Sequence, residues 1–546
     1  MKKALTLLLT LVLILSFFVG CTGTPDVTSA ETGTDKTTAT EAVTEPASET
    51  EEETTAEPET TGAPETEAVT YGEFKVEPDE TAELTVSNVF GNSMVLQRDE
   101  TITVWGTSNK DGATVRGLFM GDEARGEVVD GKWEITFSGK EASAEPQTMT
   151  IEDTCGCSVT IEDILIGDVW IIGGQSNAEA TAVHIPQAAT DIKIDPDKLI
   201  RILHQSADDV IAKKSEAKEP RDTLINPKRK WAKITRLNSS SVTLLGMFFG
   251  QRLADEAGVP IGIISVAANG AKINELMPAE LAAKFKYKIG GNVGVSGYYN
   301  GLVHPFTRIK FKAMVFFQGE SEAFVGANPP AKNYSRDVEA LFTEYRTIWG
   351  FEFPIYNIQL SDYTSKSASG SADTGIVRAQ QYDAYKNMTN VRLIPSYDLG
   401  AEEGNLNYMH SKRKKELAER VAALALADIY GKGSPDDALA PEPVEVKLSE
   451  DNTYVTVKFK NVGVGLVSKC EDGKVGGFAI GQITQKKRFL DAEAEIISND
   501  TVKVMIPEGA KLTGIGYCCS AHVTTESASL FNSFELPALA FYCKFE

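Results

Sequence analysis

Apolar and polar positions follow three successive rhythms along this chain. Over residues 84–161 short alternating runs recur, at 101–105, 113–119, 126–129, 133–137, 147–152 and 158–161. Asp111-Gly112, Asp130-Gly131 and Ser138-Gly139 punctuate them. Alternation broken by such turns predicts a small antiparallel β-sandwich. From Ile164 to Tyr430 the pattern changes to apolar strands alternating with amphipathic helices. Strands are expected at 164–172, 260–267, 313–317, 354–360 and 392–397, and helices at 241–257, 335–349, 375–388 and 411–429. This order implies an α/β unit with a mostly parallel, three-layer sheet. Ser335 is a suitable N-cap and Gly350 a suitable stop for the second of those helices. A polar, Pro-containing linker covers 431–441. Alternating runs at 454–459, 492–497 and 501–506 then suggest a second β-sandwich.

Candidate chemistry sits where the expected strands end. Gly173-Gly174-Gln175-Ser176-Asn177 follows the first apolar run of the α/β unit. A glycine-permitted turn there holds a serine hydroxyl clear of the sheet, beside backbone N–H groups, as a nucleophile needs. The bland alternative is a serine that only caps the next helix. Asn269-Gly270-Ala271-Lys272 follows the next expected strand, and a glycine there can present its N–H to a ligand at close range. Phe317-Gln318-Gly319-Glu320-Ser321-Glu322 follows the third. The Gln318 amide can donate to a developing oxyanion, and Glu320 can orient a base or anchor the loop. His410 opens the last expected helix, where the helix dipole disfavours its charged form; a neutral imidazole is what a general base requires. With five histidines in all, the rival is His304. Ligands of such sheets bind beyond the carboxyl ends of the strands.

Length and composition add bounds. The 546 residues exceed one core, so about two to four folded units are expected. A formal charge of −23 argues against nucleic acid as a partner. Lys2 and Lys3 precede an apolar run, 4–19, too short to span a membrane comfortably. Phe18-Val19-Gly20-Cys21 resembles a bacterial lipobox, with Cys21 as the lipidated first mature residue and Phe18 in place of the usual leucine. Residues 22–75 are rich in Thr, Glu, Pro and Ala and are expected to form a disordered spacer. The expected localisation is therefore the cell surface, with a lipid anchor as the only membrane attachment. Cys155, Cys157, Cys470, Cys518, Cys519 and Cys543 lack zinc-finger spacing and are read as structural or free thiols.

Together these blocks resemble the sialate O-acetylesterase family of SGNH-type carbohydrate esterases, from Val86 to near Phe541. The resemblance rests on Asn92-Ser93-Met94-Val95-Leu96-Gln97-Arg98, Trp105-Gly106, Asp168-Val169-Trp170, Gly174-Gln175-Ser176-Asn177, Asn269-Gly270, Tyr299-Asn300-Gly301-Leu302 with Pro305, and Gln318-Gly319-Glu320-Ser321. It implies an SGNH-hydrolase (flavodoxin-like) three-layer α/β/α domain at 163–432. β-Sandwiches at 80–162 and 440–546 would flank it, after a signal peptide at 1–21. It implies a carboxylic ester hydrolase with Ser176 as nucleophile and His410 as base. The Ser176 and Gly270 N–H groups with the Gln318 side chain would form the oxyanion hole. Asn177 and Asn269 are the expected substrate-binding positions, an acetylated carbohydrate is the expected substrate, and no metal or organic cofactor is implied.

One departure from the family matters. Asn407 and Tyr408 stand where the family carries an aspartate before its histidine. In a related triad that aspartate-to-asparagine change lowers kcat by about 10^4. Glu320 is the preferred substitute, with Asp398, Glu402 and Glu403 as alternatives. The competing function is a catalytically impaired, surface-tethered glycan-binding lipoprotein. Ala178, Ala268 and Lys272 are lesser departures, and Lys272 changes the charge expected near the pocket.

Overall fold

A computed structural model describes residues 71–545, apart from 196, 325, 326, 328, 362–373, 401–409, 483–487 and 520–527. The expected signal peptide with Cys21, all but the end of the expected spacer, and Asn407, Tyr408, Glu402 and Glu403 lie outside the described residues.

The N-terminal strands form two facing sheets. Leu84–Val86, Ile102–Ser108 and Lys132–Phe137 pair antiparallel. Thr114–Phe119 pairs with both Asp122–Glu127 and Ser143–Asp153. Their inward positions, Val104, Val115, Met149 and Ile151, are fully buried, as alternation requires. Ser143–Asp153 then pairs with the first half of a 17-residue strand, β1 (Ser158–Gly174). β1 continues into the α/β unit as the central strand of a parallel sheet. The sandwich and the sheet are thus joined by one unbroken strand.

The parallel sheet also contains β2 (Ile200–His204), β3 (Ile261–Ser265), β4 (Ala313–Phe317), β5 (Ile355–Ile358) and β6 (Val391–Ile394), in the order β2-β3-β1-β4-β5-β6. The two-residue strand Ala232–Lys233 closes the β2 edge antiparallel. Trp170 and Gly173 of β1 are an odd number apart, so they face opposite sides. Trp170 packs on Phe249 of helix Leu244–Glu256 and donates to Tyr430 at the end of helix Lys414–Tyr430. Phe316, in register with Gly173, packs on Phe342 of helix Tyr334–Trp349. Helices therefore cover both faces, and the expected three layers are present. β1 sits where the connections turn left to β3 and right to β4, the switch point at which such sheets open a crevice.

β2 has no counterpart among the strands expected from sequence. Its five residues are all buried, but Arg201 and His204 interrupt the apolar signature. Helix Tyr334–Trp349 begins one residue before the expected Ser335 cap, with Asn333 at the N-cap and no side-chain cap bond. Its end at Gly350, with φ 73°, is as expected. The C-terminal residues form two four-stranded antiparallel sheets and a two-stranded one around a second core of Val455, Val457, Val502, Val504, Ile515 and Phe541. Tyr382, Leu393 and Tyr397 of the α/β unit share that core. Gln359, just past β5, donates to the Ala540 carbonyl at 2.7 Å and accepts from its N–H at 3.0 Å, fastening the sandwich to the sheet.

Candidate active site

The carboxyl ends of three neighbouring strands, β3, β1 and β4, carry the three sequence blocks. Gly174 ends β1 with φ 123°, and a Cβ there would lie 2.0 Å from the Phe317 carbonyl oxygen. Only glycine allows β1 and β4 to approach so closely before the chain turns. Ser176 follows at the start of the short helix Ser176–Glu179 and is buried. Gly319 (φ 133°) makes the equivalent turn after β4.

Side chains of the two blocks lock them together. Gln175 Oε1 accepts from the N–H groups of Gly319 and Ser321, both at 3.2 Å, and from Gln318 Nε2 at 3.2 Å. Gln318 Nε2 also faces the Ala271 carbonyl at 3.1 Å and Glu322 Oε2 at 2.6 Å. Tyr334 Oη donates to Gln318 Oε1 at 2.9 Å. An amide has two N–H donors, and here three buried acceptors compete for them. The Gln318 amide, expected at the oxyanion, here meets acceptors within the loops.

Buried carboxylates hold the neighbouring backbone. Glu179 accepts from Asn269 N–H and from Ala207 N–H at 2.9 Å, and burial raises its pKa. Glu322 Oε1 accepts from Ile273 N–H at 2.7 Å. Burial pushes the Glu322 carboxyl up to about 8, with nearby Glu320 adding to the rise. These acids fix the turn Asn269-Gly270, which is exposed, with Gly270 at φ 71°. The Gly270 carbonyl accepts from Ser321 Oγ at 3.2 Å, while its N–H enters no hydrogen bond among the described residues. The Ser176 N–H is likewise uncommitted. These two donors remain available for an oxyanion.

Glu320 also differs from expectation. It is fully buried and accepts a hydrogen bond from Asn177 Nδ2. Asn177 Oδ1 in turn accepts from Lys414 Nζ at 2.5 Å. Burial pushes Glu320 toward its neutral form, opposed by the Asn177 hydrogen bond and the Lys414 charge. No hydrogen bond joins Glu320 to His410 among the described residues. The carboxylate expected to orient the base meets the Asn177–Lys414 pair. Asn177, with 2 % exposure, buttresses the Ser176 turn from within, whereas Asn269 is exposed. Asp398 is bound by Arg420 at 2.8 and 2.9 Å and is not a partner of His410 either.

His410 lies four positions before the last helix, which starts at Lys414. The dipole argument for its neutrality therefore does not apply. The imidazole is held down to about 4 by burial first, then by the positive charges of Lys414 and His184. Its Nε2 is buried and has no hydrogen-bond partner among the described residues. The rival His304 donates from Nδ1 to the Arg221 carbonyl at 2.8 Å, and its ring meets the Tyr299 edge; it is a structural histidine. Glu179, Glu322 and Lys414 were not singled out from sequence. The acidic positions three residues past Ser176 and two past Glu320 were the available signal.

Known proteins bear on this arrangement. Residues 166–427 match the family model described as carbohydrate esterase, sialic acid-specific acetylesterase. A sialate O-acetylesterase of Pongo abelii is 23% identical over 429 residues, covering 71% of this chain and 80% of that protein. The Mus musculus sialate O-acetylesterase is 22% identical, covering 67% and 77%. A crystal structure of a carbohydrate acetylesterase from Xanthomonas citri superimposes with a TM-score of 0.69 at 24% identity, covering 84% of this chain and 99% of that one; it shows the shared fold. The resemblance read from the sequence blocks is thus borne out, and with it the class, a carboxylic ester hydrolase.

Proposed function

We propose, from that resemblance as premise, that the chain removes O-acetyl groups from carbohydrates through an acetyl-enzyme on Ser176. His410 takes the Ser176 proton as the oxygen attacks the acetyl carbonyl. The Ser176 and Gly270 N–H groups hold the tetrahedral oxyanion, where one such donor is worth about 10^2–10^3 in rate. His410 then gives the proton to the departing sugar hydroxyl. Water, deprotonated by the same imidazole, releases acetate and restores the serine. The reading is carried by one observation. Lys414 Nζ meets Asn177 Oδ1 at 2.5 Å, which sets the His410-bearing segment against the nucleophile block, with an unpartnered Nε2.

A second reading, a glycan-binding protein with an impaired esterase, is favoured by the pairing of Glu320 and Asp398 with groups other than His410. One assay separates the two. Purified protein is given p-nitrophenyl acetate and acetylated sialic acids and xylosides. Hydrolysis that falls by roughly 10^4 or more in Ser176→Ala supports the esterase. Sugar binding without any Ser176-dependent turnover supports the binder.

A further inference from the structure

Three buried polar side chains from three distant segments form a closed line behind the nucleophile. Lys414 Nζ donates to Asn177 Oδ1, and Asn177 Nδ2 donates to Glu320. Their exposures are 1, 2 and 1 %. The polarity is consistent along the line: an ammonium faces a carbonyl oxygen and an amide N–H faces a carboxylate. Lys414 is an unexpected residue for its place. It is the first residue of helix Lys414–Tyr430, and the positive end of a helix dipole disfavours a cation. Burial of an ammonium adds a further desolvation cost. Burial accordingly pulls Lys414 toward its neutral form, and the Glu320 carboxylate pulls it back. Its ammonium also lies over Phe317, with Nζ 5.5 Å from the ring centroid. Two neighbouring arginines have carboxylate partners of their own: Arg413 pairs with Glu416 and Arg420 with Asp398.

We propose that Lys414 is a positioning residue of the hydrolytic site, holding the Ser176 turn through Asn177 and keeping a positive charge beside His410. The residue touched by the ammonium is the one immediately after the nucleophile. A shift of Asn177 therefore moves the Ser176 peptide, whose N–H is an oxyanion donor. The charges facing His410 are those of Lys414 and His184; the charge facing Lys414 is Glu320, itself beside Glu322. Removing the Lys414 charge leaves only burial and the His184 charge to oppose protonation of the base. The imidazole would then take up its proton at higher pH, and the acid limb of the rate profile would move upward.

This inference rests on the esterase reading of Ser176 and His410, so the experiment carries Ser176→Ala as a control. The pH dependence of kcat and kcat/KM is measured for the wild type, Lys414→Met, and the double variant Glu320→Gln/Lys414→Gln. In the double variant the glutamine amides can make the same two hydrogen bonds without charge. Lys414→Met is expected to lower kcat by about 10–100-fold with KM little changed, and to raise the acid limb by about one pH unit or more. The double variant is expected to recover most of kcat but to keep the raised limb, which a role confined to folding would not produce. It also carries the test where Lys414→Met fails to fold. An acid limb at the wild-type position in the double variant overturns the proposal while leaving the esterase reading intact. Undiminished hydrolysis by Ser176→Ala overturns both.

Discussion

At the scale of single residues, the site is made by backbone that only glycine follows and by side chains that hold one another. Gly174 stands where a Cβ would overlap the Phe317 carbonyl at 2.0 Å, at φ 123°. Gly174→Ala should therefore destabilise the fold by about 3 kcal/mol or more, combining left-handed strain with the clash. Urea unfolding of the variant measures this, and a loss under about 1 kcal/mol would mean the turn relaxes freely. The positions of Ser176 and Gly270 at strand ends were legible from the sequence, because a glycine turn after an apolar run has few other uses. The partners of Gln318 and Glu320 were not. Which donor a buried amide finds depends on residues such as Gln175 and Lys414, 143 and 237 positions away from Gln318 and Asn177 respectively. His304 is tied to Arg221, and the helix-dipole argument for a neutral His410 does not hold. Charge and burial, not a helix end, keep His410 neutral.

At the scale of elements, the decisive feature is the passage of β1 from the sandwich into the parallel sheet. Asp168 marks that passage. It is fully buried and accepts from Arg98 Nε at 3.0 Å, Arg98 Nη2 at 3.2 Å and Gln97 Nε2 at 3.0 Å. Two blocks that carried the family resemblance, Gln97-Arg98 and Asp168-Val169-Trp170, are therefore one contact. Arg98→Ala leaves the carboxylate buried without its cation. With Arg98 about a quarter exposed, the cost should be about 2 kcal/mol, below the full range for a deeply buried pair. Calorimetry or denaturant unfolding would register it; an unchanged midpoint would show that Gln97 alone satisfies Asp168. Five of the six parallel strands could be read from their apolar runs. β2 could not, since Arg201 reaches toward Asp163 at 3.7 Å and His204 is buried inside the strand. Polar side chains at these positions erase the periodic signal although the backbone is a fully covered strand.

At the scale of the whole molecule, the site draws on residues from Gln175 to Lys414, and no contiguous stretch contains it. The nucleophile turn, the Gly270 turn, the Gln318–Glu322 loop and the start of the last helix meet only when the sheet is assembled and that helix is laid along it. The C-terminal sandwich adds a second core that includes Tyr382, Leu393 and Tyr397 of the α/β unit. The order of layers was legible because strands and helices alternate with different periods. The convergence of an ammonium, an amide and a carboxylate behind Ser176 was not, because nothing in local sequence marks a buried lysine as paired. The account as a whole stands on covalent catalysis at one serine, and that step leaves a trace. The protein is incubated with an acetyl ester, quenched in acid within a turnover, digested, and its peptides weighed. The prediction is one acetyl group on the peptide that holds Ser176, absent in Ser176→Ala. Steady hydrolysis with that peptide unmodified at every quench time, or an acetyl group carried by a different residue, would contradict it.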